Sequence, residues 1–143
     1  QQNKQNPNLW GISLKQLRDV RVEVCSKVGQ GAFDEMTMRD VCRDFISPIC
    51  QREKKSYALF VNEFGLKANA FVTHTWDEPF GEFVASVEQA VGNLLNPPPL
   101  WICSFALYQD QGMIQKMLLV PINKSPFARV IKSLDKKVGK FIV

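Results

Sequence analysis

Ala70-Phe71-Val72-Thr73 stands directly before His74-Thr75-Trp76-Asp77-Glu78 in the middle of the chain. The first four residues are rich in β-branched and aromatic side chains and are too few for a helix, so they predict a short buried strand. The next five predict a turn, in which Asp77 caps a helix with Pro79 in its first turn. Apolar side chains then recur at three- and four-residue steps, which predicts a helix over residues 79 to 95 with one buried face: Phe80, Phe83, Val84, Val87, Val91, Leu94 and Leu95.

Two further strands are predicted after this helix. Asn96-Pro97-Pro98-Pro99 ends the helix, and the almost continuously apolar run from 100 to 108 predicts a central strand covered on both faces. Residues 138 to 143 predict a third strand. Strands about 30 residues apart, with helices between them, indicate parallel crossover connections, so the predicted fold class is α/β with a parallel sheet.

Helices are also predicted between the second and third strands. After a loop at 109 to 112, the sequence favours short helices near 113 to 119 and from Ser125-Pro126 through Leu134. A three-stranded parallel sheet that ends in an apolar strand leaves an open edge. We therefore expect the sheet to be incomplete at the C-terminus.

The first 36 residues predict a tail and an extension. Residues 1 to 8 have no aliphatic or aromatic side chain to hold them against a core, so they predict a tail or linker. The segment from Ser13 to Val24 fits a helix or a strand, because Val20, Val22 and Val24 also alternate with charged residues. Gly29-Gln30-Gly31 predicts a break.

Two short helices are predicted next. Thr37 can cap a helix that runs to Ile46, and Pro48 ends or kinks it. Ser56 precedes a second helix that stops at Gly65, where glycine accepts a positive φ at low cost. The predicted organisation is thus a tail and extension over residues 1–36 and an α/β domain over 37–143.

Composition excludes several classes of protein and of functional site. With 143 residues, 45% of them hydrophobic and 22% charged, the chain has the composition of one globular domain. No apolar stretch approaches the roughly 18 residues of a membrane span, and the polar start predicts no signal peptide. Four cysteines without a Cys-x-x-Cys pair, and His74 as the single histidine, predict no metal site and no catalytic Ser-His-Asp set. Buried reduced thiols predict an intracellular, cytoplasm-like location.

Positive charge is concentrated near the C-terminus. Residues 1 to 109 hold 11 basic and 12 acidic side chains, whereas residues 110 to 143 hold 7 and 2. The cluster of Lys132, Lys136, Lys137 and Lys140 has no interleaved aromatic residues and no nucleic-acid motif. It predicts a solvated face, and no nucleic-acid partner is expected.

Three segments carry a resemblance to a known family. They are residues 71 to 80, the run Leu100-Trp101-Ile102-Cys103-Ser104-Phe105-Ala106-Leu107, and Ser125-Pro126-Phe127-Ala128-Arg129-Val130. Together they resemble a Toll/interleukin receptor (TIR) domain, above all the divergent type of single-celled algae and other protists. Thr73 stands where that type usually has serine. The resemblance covers about residues 37 to 143 and leaves residues 1 to 36 outside it.

The resemblance implies a flavodoxin-like parallel sheet and two kinds of activity. One is assembly through domain contacts, as in signalling scaffolds, and the other is cleavage of NAD at its nicotinamide bond. Catalytic family members carry an essential glutamate on the helix after the third strand. Here the third strand ends at Val143, so the chain resembles a domain truncated after that strand, and no catalytic residue is assigned.

The turn after the first strand is the predicted site, because parallel sheets bind ligands beyond the carboxyl ends of their strands. The candidate ligand- or partner-binding residues are Thr73, His74, Thr75, Trp76, Asp77, Glu78 and Phe80. His74 and Trp76 can face a nucleotide, although we favour a hydrogen-bonded buried histidine and a packing tryptophan, and Trp101 is assigned to the core. Asp77, Glu78 and Glu82 form an acidic cluster that can act as a general base or cation ligand, although capping already explains the first two.

Three functional hypotheses follow. The leading one is a TIR-like module that self-associates or binds a partner protein, without a cofactor and without catalysis by this chain. The second is the N-terminal half of an NAD-cleaving enzyme, with NAD as substrate if a glutamate-bearing helix follows Val143. The third is a structural subunit of a large assembly, docked through residues 1 to 36.

Overall fold

A parallel β-sheet lies at the centre of the structure. The computed structural model describes residues 6–107 and the backbone of 140–142. In these ranges β1 (Ala70–Val72), β2 (Leu100–Ile102) and β3 (Lys140–Ile142) form one sheet in the order β2-β1-β3. Phe71 pairs with Trp101 on one side and with Phe141 on the other, and both pairings are parallel. The predicted α/β class with a parallel sheet is confirmed.

Helices precede and follow β1 along the chain. A 3₁₀ turn over Pro7–Leu9 comes first. The elements before β1 are α1 (Leu14–Val28), α2 (Gln30–Glu35), α3 (Met38–Val41), a π-helical turn (Cys42–Ile46), α4 (Ser47–Glu53) and α5 (Tyr57–Val61). The elements after it are α6 (Phe80–Val91) and α7 (Cys103–Ala106). In the described ranges no helix is both long and apolar enough to cross a membrane.

The ambiguous segment near residue 20 is a helix. Ser13 and Gln16 form a reciprocal cap, in which the Gln16 amide donates to Ser13 Oγ at 3.0 Å and the Ser13 amide donates to Gln16 Oε1 at 2.9 Å. The helical face is buried, whereas Val22, which a strand would have placed beside Val20 and Val24, is 61% exposed. The cap and the helical period therefore prevail over the β-branched alternation.

The predicted break at Gly29 is confirmed, since α1 ends there and Gly29 has a φ of 85°. Gly31 lies inside α2 and breaks nothing. Pro48 interrupts the next helix without ending it. Upstream of Pro48 the helix widens into the π-helical turn, in which the Ser47 amide donates to the Cys42 carbonyl five residues back. A proline removes a backbone donor, and the π turn accommodates that loss.

The helix cap predicted from sequence at Thr37 is confirmed, and Ser56, predicted only to precede the next helix, caps that helix in the same way. The Asp40 amide donates to Thr37 Oγ1 at 3.2 Å, and the Leu59 amide donates to Ser56 Oγ at 3.2 Å. The helix after Ser56 is shorter than predicted, because it ends at Val61, and Gly65 with its φ of 85° lies in the turn that follows.

Helix α6 confirms the strongest periodic signal of the sequence. Its buried residues are Phe80, Phe83, Val84, Val87 and Val91. It contacts α1, α2 and α3, and a bidentate ion pair joins Arg18 to Glu88 across the first of these contacts. The predicted continuation to Leu94 and Leu95 is wrong: the helix ends at Val91, and Leu95 is 94% exposed.

The second strand is also shorter than predicted. The strand expected over 100–108 ends at Ile102, and Cys103–Ala106 form a helical turn closed by the Leu107 amide on the Cys103 carbonyl at 3.0 Å. A continuous apolar run fits a buried strand and a buried helix equally well, so its period did not distinguish them. Trp101 is fully buried, as predicted.

The chain before α1 runs along the outer edge of β2. Ile12 and Leu100 exchange two main-chain hydrogen bonds at 2.8 and 2.7 Å, and Trp101 Nε1 donates to the Pro7 carbonyl at 3.0 Å. The Ala68 amide donates to the Asn8 carbonyl at 2.8 Å. The tail predicted over residues 1 to 8 is wrong for Pro7 and Asn8, because hydrogen bonds hold their main-chain carbonyls and Pro7 is buried. The helices and loop predicted over 109–134 lie outside the described residues.

Candidate functional site

The loop between β1 and α6, residues 73–79, lies at the carboxyl end of the first strand. This is the position predicted from sequence, and all seven candidate residues are in or next to this loop. Phe80 differs from the others because it is fully buried as the first residue of α6. Its ring packs edge-on against Phe33 of α2, with centroids 6.1 Å apart. Phe80 is therefore a core residue that supports the loop, and the residues before it form the surface of the loop.

His74 lies between two aromatic rings. Its ring centroid is 5.5 Å from that of Trp76 and 5.6 Å from that of Phe83, both in edge-to-face geometry. Both ring nitrogens are buried, and neither has a hydrogen-bond partner among the described residues. Burial lowers the pKa of His74, and the Thr75 main chain, which does not reach hydrogen-bond geometry, opposes that shift in part. The expectation of a hydrogen-bonded histidine is wrong, because neither nitrogen of this half-buried residue has a hydrogen-bond partner among the described residues.

Trp76 is the exposed aromatic residue of the loop. It is 37% exposed, and the Arg39 guanidinium of α3 lies 6.0 Å from its ring centroid. Arg39 also pairs with Asp77 at 3.4 Å. A cation over an aromatic face stabilises both side chains and limits their motion. Trp76 is therefore a partly exposed side chain held by Arg39. It is not the packing tryptophan that the sequence favoured.

Main-chain hydrogen bonds hold the loop against the N-terminal helices. The Arg39 amide donates to the Trp76 carbonyl at 3.0 Å and the Met38 amide donates to the Glu78 carbonyl at 2.9 Å. In return, the Phe80 amide donates to the Met36 carbonyl at 2.9 Å. The first amides of a helix have no partner within it. Here the first amides of α3 and of α6 donate to carbonyl groups outside their own helices. These hydrogen bonds fix the loop backbone.

Two of the three residues of the acidic cluster, Asp77 and Glu82, are open to solvent, and Glu78 is half-buried. The Asp77 side chain is 88% exposed and pairs with Arg39, and Glu82 is exposed on the first turn of α6. The prediction that Asp77 caps this helix is wrong, since the helix has no side-chain cap and the Phe80 amide is already bonded to Met36.

The cysteines are all free thiols. Cys42 and Cys50 are buried, as predicted, while Cys25 and Cys103 are half-buried. Burial raises the pKa of Cys42 to about 12 and that of Cys103 to about 11, so neither supplies a thiolate at neutral pH. Among residues 6–107, histidine, cysteine and acidic side chains form no group of three that fits a metal ion.

A second concave feature was not predicted from sequence. A groove of about 650 Å³ lies between α1, the π-helical turn, α4 and α5. Lys27 lies over the Phe45 ring at 5.7 Å and Arg52 over the Phe60 ring at 5.9 Å, so a cation covers an aromatic face at two places along it. The π-helical turn, which single-sequence periodicity does not reveal, brings Phe45 into this groove.

The chain matches no protein-family model, no curated protein and no solved structure.

Proposed function

We propose that this chain is a TIR-like, flavodoxin-like module for protein interaction and assembly, and that Trp76 and Arg39 are the centre of its contact surface. The supported and partly exposed Trp76 is the observation that carries the proposal. Tryptophan and arginine are the residue types most enriched at the energetic centres of protein interfaces. The fixed loop backbone favours binding, because little conformational freedom is lost when a partner docks.

The strand order supports the fold assignment within this proposal. Flavodoxin-like sheets run in the order 2-1-3-4-5, and β2-β1-β3 is the first part of that order. Ligands and partners of such sheets meet them at the carboxyl ends of the strands, and the loop at 73–79 follows the carboxyl end of the central strand, β1. The sheet order predicts binding at the carboxyl ends of the strands, and the loop that carries Trp76 lies at that edge of the sheet.

Self-association provides the direct test. Light scattering and sedimentation over a wide concentration range should detect a complex that Trp76→Ala weakens by about 30-fold or more, the effect of losing a residue worth at least 2 kcal/mol. Phe64→Ala is the matched control, because Phe64 is an aromatic residue on another loop and is 84% exposed. A concentration-independent monomer, or equal weakening by both substitutions, would contradict this surface.

A chemical assay distinguishes the rival hypothesis, NAD cleavage, from the proposed interaction module. The transition state for loss of nicotinamide requires a positioned carboxylate at the ribose, and Asp77 is solvated. We therefore expect no nicotinamide release above background when the 143-residue chain is incubated with NAD. Turnover that disappears in Glu78→Gln or Glu82→Gln would instead place a catalytic site in this loop.

A further inference from the structure

His74 is the single histidine of the chain, and its surroundings suit one protonation state only. Its two ring nitrogens are buried and have no hydrogen-bond partner among the described residues. Buried polar groups are nearly always paired in native proteins, so each exception calls for a reason. A neutral imidazole needs one donor and one acceptor satisfied, whereas an imidazolium would hold two unpaired donors and a charge against Trp76 and Phe83.

The charged groups near the loop do not offset that cost. Arg39 on α3 lies over Trp76 and pairs with Asp77 in the loop. Glu78 is half-buried in the loop, and Glu82 is exposed on α6. Because neither imidazole nitrogen is hydrogen-bonded, none of these three carboxylates pairs with the ring. A proton added to His74 therefore favours a conformation in which the ring reaches water.

We propose that His74 is a pH-sensitive switch for the Trp76 surface: protonation moves the imidazole out from between Trp76 and Phe83, and Trp76 then loses its support on that side. The conformational step stands on the geometry of His74 alone. Its consequence, weaker association at acidic pH, rests on the proposed function.

The step is local, because the rest of the loop is held independently of His74. The carbonyls of Trp76 and Glu78 accept main-chain hydrogen bonds from α3, and the Phe80 amide is bonded to Met36. These bonds do not involve the imidazole. We therefore expect the movement to involve the side chains of His74 and Trp76, while α3, α6 and the main-chain hydrogen bond from the Glu78 amide to the Thr75 carbonyl at 3.3 Å stay in place.

The direction of the pH effect follows from burial. The pKa of His74 is lowered in the closed loop, whereas an imidazole in water has a pKa of about 6.5. The closed loop is thus fully favoured above about pH 6.5 and loses that advantage as the pH falls toward the lowered value. Below about pH 6.5 the ratio of open to closed loops rises by up to about tenfold for each pH unit.

Two measurements on the whole chain test the conformational step. Because there is one histidine, NMR titration of its imidazole gives the pKa without ambiguity, and we expect a value below 6.5. Acrylamide quenching of Trp76, isolated by subtracting the Trp76→Phe protein, should increase between pH 7.5 and 5.5. His74→Phe is the matched control, since phenylalanine keeps the aromatic contact and does not titrate; its quenching should be independent of pH.

The outcomes separate the two proposals. An imidazole pKa of 6.5 or above, unchanged Trp76 quenching, or the same pH response in His74→Phe overturns the switch. Association of the wild-type chain should weaken at pH 5.5, and that of His74→Phe should not. If Trp76→Ala leaves association unchanged at pH 7.5, the proposed function fails, while the NMR titration still decides the switch. If association is present and does not respond to pH, the switch is overturned as a regulator.

Discussion

Truncation of Phe83 to alanine tests how α6 supports the loop. Phe83 is almost fully buried, and its ring faces both His74, at 5.6 Å between centroids, and Phe80, at 6.5 Å. Removing a buried phenylalanine side chain costs about 2 to 3 kcal/mol in transfer free energy. The cavity left between two rings held by helix and loop backbone raises the expected loss of unfolding free energy to about 3 to 5 kcal/mol.

Urea denaturation followed by far-ultraviolet circular dichroism measures this loss. Leu95→Ala is the control, because Leu95 is almost fully exposed, and its unfolding free energy should change by less than about 0.5 kcal/mol. A loss below about 1 kcal/mol for Phe83→Ala, at an unchanged denaturant slope, would refute the assignment of Phe83 to the supporting core.

Three further substitutions and one chemical modification test local features. Thr37→Ala removes the side-chain cap of α3 and should cost about 1 kcal/mol in urea denaturation. Gly65→Ala should destabilise by more than about 1 kcal/mol, because its φ is 85° and the added Cβ would lie 2.8 Å from Leu9 Cβ; Gly31→Ala, in α2 with open space around it, should stabilise by about 0.5 kcal/mol. The buried Cys42 thiol, with its pKa of about 12, should escape alkylation by iodoacetamide at pH 8 until the protein is unfolded in urea, as mass spectrometry can establish.

The elements predicted correctly are those whose side chains carry their own signal. Strand β1 combines β-branched and aromatic residues in a run too short for a helix, and α6 repeats its apolar residues with the helical period. The cap at Thr37 was also predictable, because a hydroxyl before an apolar helical run satisfies amides within three residues. For the cap, the interaction partners are close in sequence.

The features that sequence did not predict are not marked by a side-chain pattern of their own. The pairing of Ile12 with Leu100 is made by main-chain atoms, which every residue type carries, so no side-chain pattern marks it. The switch from β2 to the helical turn at Cys103 occurs inside a uniformly apolar run. The missing hydrogen bonds of His74 follow from the rings that tertiary packing places on either side of it.

Main-chain hydrogen bonds join the N-terminal helices to the loop. The carbonyl of Met36 fixes the start of α6, and the amides of Met38 and Arg39 fix the loop, so residues before the predicted boundary at 36 and just after it position the candidate surface. Arg39 adds its side chain to the same surface by covering Trp76. A loop fixed through its backbone leaves only the side-chain positions free to respond to a partner or a proton. The switch proposed for His74 therefore requires movement of side chains only, which leaves the surrounding fold in place.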